Sequence, residues 1–252
     1  MMKKKIRDYL LIPYITSGFP SKALFFPILR TLSESNANYI EVGVPHSDPL
    51  ADGPLIQHSS KIALQNKVSL RWIVKTLKEK KQYKLKPLIL FSYLNPILSY
   101  GFEKLLLDLP KPLFYGLIIP DLPLDEAEKY LPLFKKYNLN LILLAAPTTN
   151  KTRLKKIAKL SGGFIYLVSV VGTTGIRKKL AADLKGKIRE LKSITKKPVC
   201  VGFGISSSKQ AKEVLSYGAN GVVIGSALVK ELSAATENSV ISELKKFIAS
   251  FN

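Results

Sequence analysis

Three carboxylates, Glu41, Asp48 and Asp52, gather where an apolar run gives way to a loop. The run Asn38–Val44 reads as a buried strand, yet Glu41 stands inside it. A buried charge is costly unless it is paired or neutralised, so Glu41 needs a chemical reason to be there. The loop that follows is punctuated by Pro45, Pro49 and Pro54 and carries Asp48 and Asp52. Carboxylates at the C-terminal end of a strand suit general acid and base work. The competing structural reading of Glu41 is an ion pair inside the core, but none of the candidate strands named below holds a lysine or arginine. Asp52 before Gly53 is also a strong turn signal, and Asp48 before Pro49 would cap a turn equally well.

A second chemical pattern comes late in the chain. Three apolar runs end in Gly172-Thr173-Thr174-Gly175, Gly202-Phe203-Gly204-Ile205-Ser206 and Gly225-Ser226. Glycines let backbone N–H groups approach an anion closely, and a helix N-terminus adds a favourable dipole. One such glycine is ordinary turn punctuation, whereas three successive strand ends point to a phosphate site at Gly175, Gly204, Gly225 and Ser226.

These residues need a frame that brings strand ends together. Eight β-rich runs recur: Leu11–Thr16, Asn38–Val44, Pro87–Phe91, Leu113–Ile119, Asn140–Ala145, Phe164–Ser169, Val199–Phe203 and Gly221–Ile224. None alternates polar with apolar, as expected of strands buried on both faces. Helical stripes fall between them, for instance at 21–35, 69–82, 124–137, 150–160, 177–194 and 206–217. The last starts at Ser206 as N-cap and ends at Gly218, and a final stripe follows through Ile241, Leu244, Phe247 and Ile248. This alternation predicts an α/β protein, a single (β/α)8 TIM barrel over 1–252, with its chemistry at the C-terminal ends of the strands. The rival, an open doubly wound sheet, lacks a Gly-x-Gly-x-x-Gly after its first strand.

With 252 residues, 46% hydrophobic and 23% charged, the chain has a globular composition. Cys200 is the single cysteine and sits in an apolar run, so it reads as a small buried thiol. The basic start, Met1–Tyr9, has no apolar stretch behind it, and no uncharged run approaches membrane-spanning length. A cytoplasmic, reducing setting with no membrane association is expected. The net charge of +21 is spread over the outer faces of several helices, so it reads as solvated surface with no nucleic-acid partner. His46 and His58 are the only histidines and no third ligand is spaced for zinc, so no metal site is expected.

Over nearly its full length the chain resembles the alpha subunit of tryptophan synthase. The most specific match is Glu41-Val42-Gly43-Val44-Pro45-His46-Ser47-Asp48-Pro49-Leu50-Ala51-Asp52-Gly53-Pro54, followed by Ile56-Gln57. Supporting matches are Thr16–Pro20, Ser92–Pro96, Pro120–Pro123 and the three glycine segments above. The resemblance implies retro-aldol cleavage of indole-3-glycerol phosphate to indole and glyceraldehyde 3-phosphate. It implies no cofactor in this subunit and a pyridoxal-phosphate-dependent beta subunit as partner in an α2β2 heterotetramer.

By the same resemblance Glu41 alternates between acid and base and Asp52 accepts the indole N–H. Asp48 matches a residue at the beta contact. Tyr14, Phe91, Tyr93, Ile118, Thr174 and Val223 match the pocket lining, and Tyr166 matches a tyrosine near the catalytic glutamate. Two positions depart from the family pattern. Val170 stands where many members carry arginine in a lid-like loop, and His46 replaces an aromatic after the proline. Two other readings of the same residues stay open: another phosphate-binding barrel acting on a sugar phosphate, and a basic scaffold for polyanions. A Schiff-base aldolase would need a lysine on a strand.

Overall fold

The computed structural model describes residues 9–169, 177–202 and 204–251, with the main chain alone at 177–182. Its strands are β1 (Leu10–Thr16), β2 (Ile40–Gly43), β3 (Leu88–Phe91), β4 (Phe114–Ile118), β5 (Asn140–Ile142), β6 (Leu144–Ala145), β7 (Ile165–Val168), β8 (Val199–Gly202) and β9 (Gly221–Ile224). They pair in parallel in the order β5-β4-β3-β2-β1-β9-β8-β7-β6. The two ends of that order, β5 and β6, follow one another in the chain, so the sheet comes round on itself as an eight-stave barrel.

The fifth stave differs from the expected single strand Asn140–Ala145. It breaks at Leu143, whose N–H goes to the Ser161 hydroxyl at 2.9 Å while its carbonyl still accepts from Tyr166. A long-range side-chain bond has replaced one rung of the ladder.

Around the barrel lie α1 (Lys22–Glu34), α2 (Pro54–Gln65), α3 (Leu70–Glu79), α4 (Leu94–Tyr100), α5 (Phe102–Asp108), α6 (Leu124–Lys136), α7 (Lys151–Leu160), α8 (Arg177–Ile194), α9 (Ser208–Ser216), α10 (Ser226–Ala234) and α11 (Val240–Ala249). Their apolar stripes face inward as their spacing predicts. In α3 the stripe Leu70, Ile73, Val74 and Leu77 is buried, and Ser69 caps the helix by accepting from Trp72 N–H. In α7 Leu154, Ile157 and Ala158 are buried behind an Asn150 cap. Each fully buried leucine or isoleucine contributes about 1.5–3 kcal/mol relative to exposure, which is what presses these helices against the sheet.

The cap of α9 is Ser207, one residue later than expected. Its hydroxyl accepts from Gln210 N–H, while Ser206 instead donates its N–H to the Gln210 side chain at 2.8 Å. Gly218 adopts φ +103 just past that helix, the left-handed conformation that suits a glycine at this position.

Strands β2, β3, β8 and β9 are buried throughout, so the barrel interior is packed. Among the described residues, no helix is long and apolar enough to cross a membrane.

Candidate active site

Glu41 comes off the middle of β2, between Tyr14 on β1 and Ile89 on β3 in the strand register. It is 1% exposed, and its Oε2 has no hydrogen-bond partner. Among the described residues no lysine or arginine pairs with it, and none of β1–β9 contains either residue. Burial, and then the nearby charge of Asp52, raise its pKa to about 8. At neutral pH it is an un-ionised acid with a proton to give.

Asp52 lies in the loop from β2 to α2. That loop is pinned by its own backbone, Asp52 N–H to Pro49 carbonyl at 2.9 Å, and by Gln57, whose amide donates to the Asp52 carbonyl at 2.8 Å. The Tyr93 hydroxyl accepts from Ala51 N–H at 2.9 Å and donates to the Asp52 carboxylate. Burial pushes the Asp52 pKa up to about 6, with the Tyr93 bond pulling the other way. The Tyr93 ring is itself stacked on His46, with centroids 4.9 Å apart. Two carboxyl groups thus share one site, with one held neutral and the other ionised near neutrality.

Between them opens a cavity of about 160 Å³. Its apolar walls are Tyr14, Phe91, Ile56 and Val223, with the Tyr14 and Phe91 rings edge to face at 5.8 Å. Two glycines at strand ends make the room. A Cβ on Gly43 would overlap the Tyr14 hydroxyl, and one on Gly202 would overlap the Tyr166 hydroxyl. Tyr166 reaches the same cavity from β7, where burial and then the Glu41 charge hold its hydroxyl well above its usual pKa.

Gly204, after β8, and Gly225 and Ser226, after β9, complete the lining. Gly204 takes φ +81, which a residue with a side chain adopts only under strain. Helix α10 starts from Gly225 with no side-chain cap, whereas α9 is capped by Ser207. The first N–H groups of α10 therefore remain available to an anion at the cavity edge.

The structure gathers most of the residues singled out from the sequence: Glu41, Asp52, Tyr14, Phe91, Tyr166, Val223, Gly204, Gly225 and Ser226 all line one cavity. Tyr93 and Ile118 do not line it. Tyr93 acts through its hydroxyl on Asp52, and Ile118 is fully buried in β4. Asp48 is exposed on the rim, bonded to the Ser47 hydroxyl at 3.0 Å. Thr174 and Gly175, together with Val170, lie outside the described residues. Gly53 and Ile56 join the lining without having been singled out, although both stand in the motif that carries Asp52. Among the described residues no group of three His, Cys, Asp or Glu could hold a metal ion. Cys200 is buried in β8, and burial pushes its thiol pKa up, so it is unreactive packing.

A family model described as "Tryptophan synthase alpha chain" matches residues 1–251. The tryptophan synthase alpha chain of Prochlorococcus marinus subsp. pastoris is 44% identical over 244 residues, covering 97% of this chain and 88% of that relative. The alpha chain of Synechocystis sp. is 43% identical over 237 residues, covering 94% and 90%. Among solved structures, a chain of the tryptophan synthase α2β2 complex from Pyrococcus furiosus superposes with a TM-score of 0.89 at 37% identity, covering 97% of this chain and 98% of that one. Tryptophan synthase subunit alpha from Campylobacter jejuni gives 0.85 at 32% identity, with 96% of both chains covered.

Proposed function

The chain belongs to the tryptophan synthase alpha chain family, and from that membership we propose that Glu41 is the acid and base of its reaction and Asp52 the carboxylate that holds the indole nitrogen. The reaction is the cleavage of indole-3-glycerol phosphate to indole and glyceraldehyde 3-phosphate, a carbon–carbon lyase step of tryptophan biosynthesis. Indole passes to a beta subunit, with which the protein works in an α2β2 assembly like that of P. furiosus.

The chemistry follows from the two pKa values. Neutral Glu41 donates its proton to indole C3, and the ring becomes an indolenine with positive charge at nitrogen. Ionised Asp52 accepts the ring N–H and stabilises that charge as it develops. Glu41, now a carboxylate, takes the proton from the adjacent glycerol hydroxyl. The bond between C3 and the glycerol carbon then breaks, its electrons return to the ring, and an aldehyde forms. Glu41 ends protonated as it began, so the cycle balances in protons and electrons with no further reactant. Each well-placed transfer contributes about 10²–10⁴-fold in rate.

The substrate's apolar half fits between Tyr14, Phe91, Ile56 and Val223. Its phosphate fits the open N-terminus of α10 with the backbone of Gly204, Gly225 and Ser226. We propose that residues 1–252 act as one barrel unit that holds no cofactor, pyridoxal phosphate belonging to the beta subunit, and that the protein is cytoplasmic. Asp48, exposed on the rim beside the cavity, is proposed to meet the beta subunit.

One observation carries the catalytic assignment: a carboxyl that is 1% exposed, unpaired at Oε2 and poised to stay protonated shares a cavity of about 160 Å³ with a second carboxyl. The test is Glu41→Gln. Indole release from indole-3-glycerol phosphate should fall at least about 10²-fold while the circular dichroism spectrum stays native. Wild-type turnover in that variant would overturn the assignment.

A further inference from the structure

The loops after β2, β3 and β4, three adjacent staves, are joined at the mouth by side chains, and the joins end on Asp52. The outermost join starts at Asp121, in the turn that follows β4. Its Oδ1 accepts from Leu94 N–H at 2.8 Å, across 27 residues of chain. Leu94 is the first residue of α4, and Tyr93 before it offers that helix no side-chain cap. Asp121 therefore caps α4 from a neighbouring loop.

The bond does more than close a helix end. Leu94 N–H and the Tyr93 carbonyl belong to one peptide unit, and the Ser92 hydroxyl donates to that carbonyl at 3.0 Å. Ser92 is fully buried, and its own N–H goes to the Ile118 carbonyl at 3.1 Å. The plane between Tyr93 and Leu94 is thus gripped at its oxygen and at its nitrogen. A peptide plane is rigid, so this grip fixes Tyr93 at ψ 158 and sets how its side chain leaves the backbone.

That side chain makes the contact to the next loop. Tyr93 Oη accepts from Ala51 N–H at 2.9 Å and donates to the Asp52 carboxylate. A hydrogen bond weakens steeply as its angle opens, so the bond to Asp52 depends on where Tyr93 is anchored. Among the described residues, the titratable groups around Asp52 are Tyr93 from the β3–α4 loop, Glu41 from β2, Tyr14 from β1 and Tyr166 from β7. Around Tyr93 stand His46, stacked on its ring, and Asp121.

We infer that Asp121 is a positioning residue for the cleavage reaction: by gripping Leu94 N–H it anchors Tyr93, and through the Tyr93 hydroxyl it keeps the Asp52 carboxylate aimed at the indole nitrogen. The Tyr93 bond favours the ionised carboxyl, so a loosened anchor shows as a later ionisation of Asp52. Asp121 is exposed at the rim and does not line the cavity, so replacing it removes one acceptor and no core packing.

This inference rests on Asp52 being the carboxylate that receives the indole N–H, and its test keeps the two apart. The measurement is kcat/KM against pH for indole-3-glycerol phosphate cleavage by the full chain with a saturating beta subunit. Asp121→Ala should move the acid limb up by about half a pH unit, part of the value of one hydrogen bond. Asp121→Asn keeps an acceptor for Leu94 N–H and should hold the limb at its wild-type position. In a Tyr93→Phe background, Asp121→Ala should move the limb no further, because the link it acts through is gone. A cap with a merely structural role would lower stability, or rate equally at every pH, and leave the limb in place.

An unmoved acid limb in Asp121→Ala overturns the inference. So does an equal shift with and without the Tyr93 hydroxyl, or an Asp121→Asn limb displaced as far as that of Asp121→Ala. If Asp52→Asn loses most of the rate while the Asp121→Ala limb stays put, only the anchoring has failed. If Asp52→Asn turns over at the wild-type rate, the assignment of Asp52 itself has failed.

Discussion

At the foot of the barrel, where strands begin, three asparagines each close a gap in the backbone ladder; at its mouth, where strands end, a buried glutamate is left with an oxygen unpartnered. Asn38 Oδ1 accepts from Leu11 N–H at 2.9 Å, Asn140 Nδ2 donates to the Tyr115 carbonyl at 2.9 Å, and Asn220 Oδ1 accepts from Val199 N–H at 3.0 Å. Lys197 adds its ammonium to the carbonyls of Ala158, Lys159 and Ser161 at the end of α7. Polar groups at the foot are satisfied and hold the staves in register. Glu41 and Asp52 at the mouth have their pKa values raised by burial. The same barrel is built for order at one end and for reactivity at the other, and the cost of the second is carried by the first.

The largest expected effect is on stability at the mouth. The folded pKa of Glu41, about 8, lies above its ordinary 4.5, so folding takes up a proton between those values. Its contribution is fully favourable below about pH 4.5 and is lost as pH rises through 8. By pH 7 the loss is about 3 kcal/mol by linkage. Glu41→Gln keeps the shape of the neutral acid and cannot ionise. The variant that loses turnover should therefore be the more stable protein at pH 7–8, by up to that amount, and the two should converge near pH 4. Denaturant unfolding at several pH values reads this directly. A Gln variant less stable than wild type at pH 8 would mean the mouth carries no such burden.

The foot should give the opposite pairing. Lys197→Met keeps most of the apolar stem and removes the charge from three helix-end carbonyls. The expected cost is about 1–2 kcal/mol of stability, since those carbonyls keep only partial access to water. Turnover per folded molecule should stay at the wild-type level. A fall in kcat with unchanged unfolding would erase the division between the two ends.

The mouth was more legible in the sequence than the foot. Glu41 announces itself as a charge in an otherwise apolar strand, and Gly204 and Gly225 belong to a glycine pattern repeated at three successive strand ends. The strands themselves are visible because uninterrupted apolar runs have no other use in a chain of this composition. Lys197, by contrast, reads as one more solvated lysine, since nothing local shows that it folds back on α7 some forty residues earlier. The break at Leu143 is hidden for the same reason: it depends on the Ser161 hydroxyl, which reaches it only through the fold. Ser59 is hidden by chemistry, because a serine in a helical stripe looks like surface until the barrel closes over it. Tyr93 sits between these cases, recognisable as part of the site, although its hydroxyl rather than its ring does the work.

Tyr93 therefore supplies the finest test of how the mouth is tuned. Its hydroxyl donates to the Asp52 carboxylate, a bond that favours the ionised form and opposes the effect of burial. Tyr93→Phe removes that bond and leaves the ring in place against His46. The Asp52 pKa should then rise from about 6, and the acid limb of kcat/KM should move up by about half to one pH unit, the value of a single charge-assisted hydrogen bond in a partly buried site. The alkaline limb, which belongs to Glu41, should move far less and upward if at all, because an Asp52 that stays charged above its new pKa still opposes ionisation of its neighbour. Movement of the acid limb alone would show that Tyr93 tunes Asp52 without tuning Glu41. Equal movement of both limbs would mean that they titrate as one coupled pair.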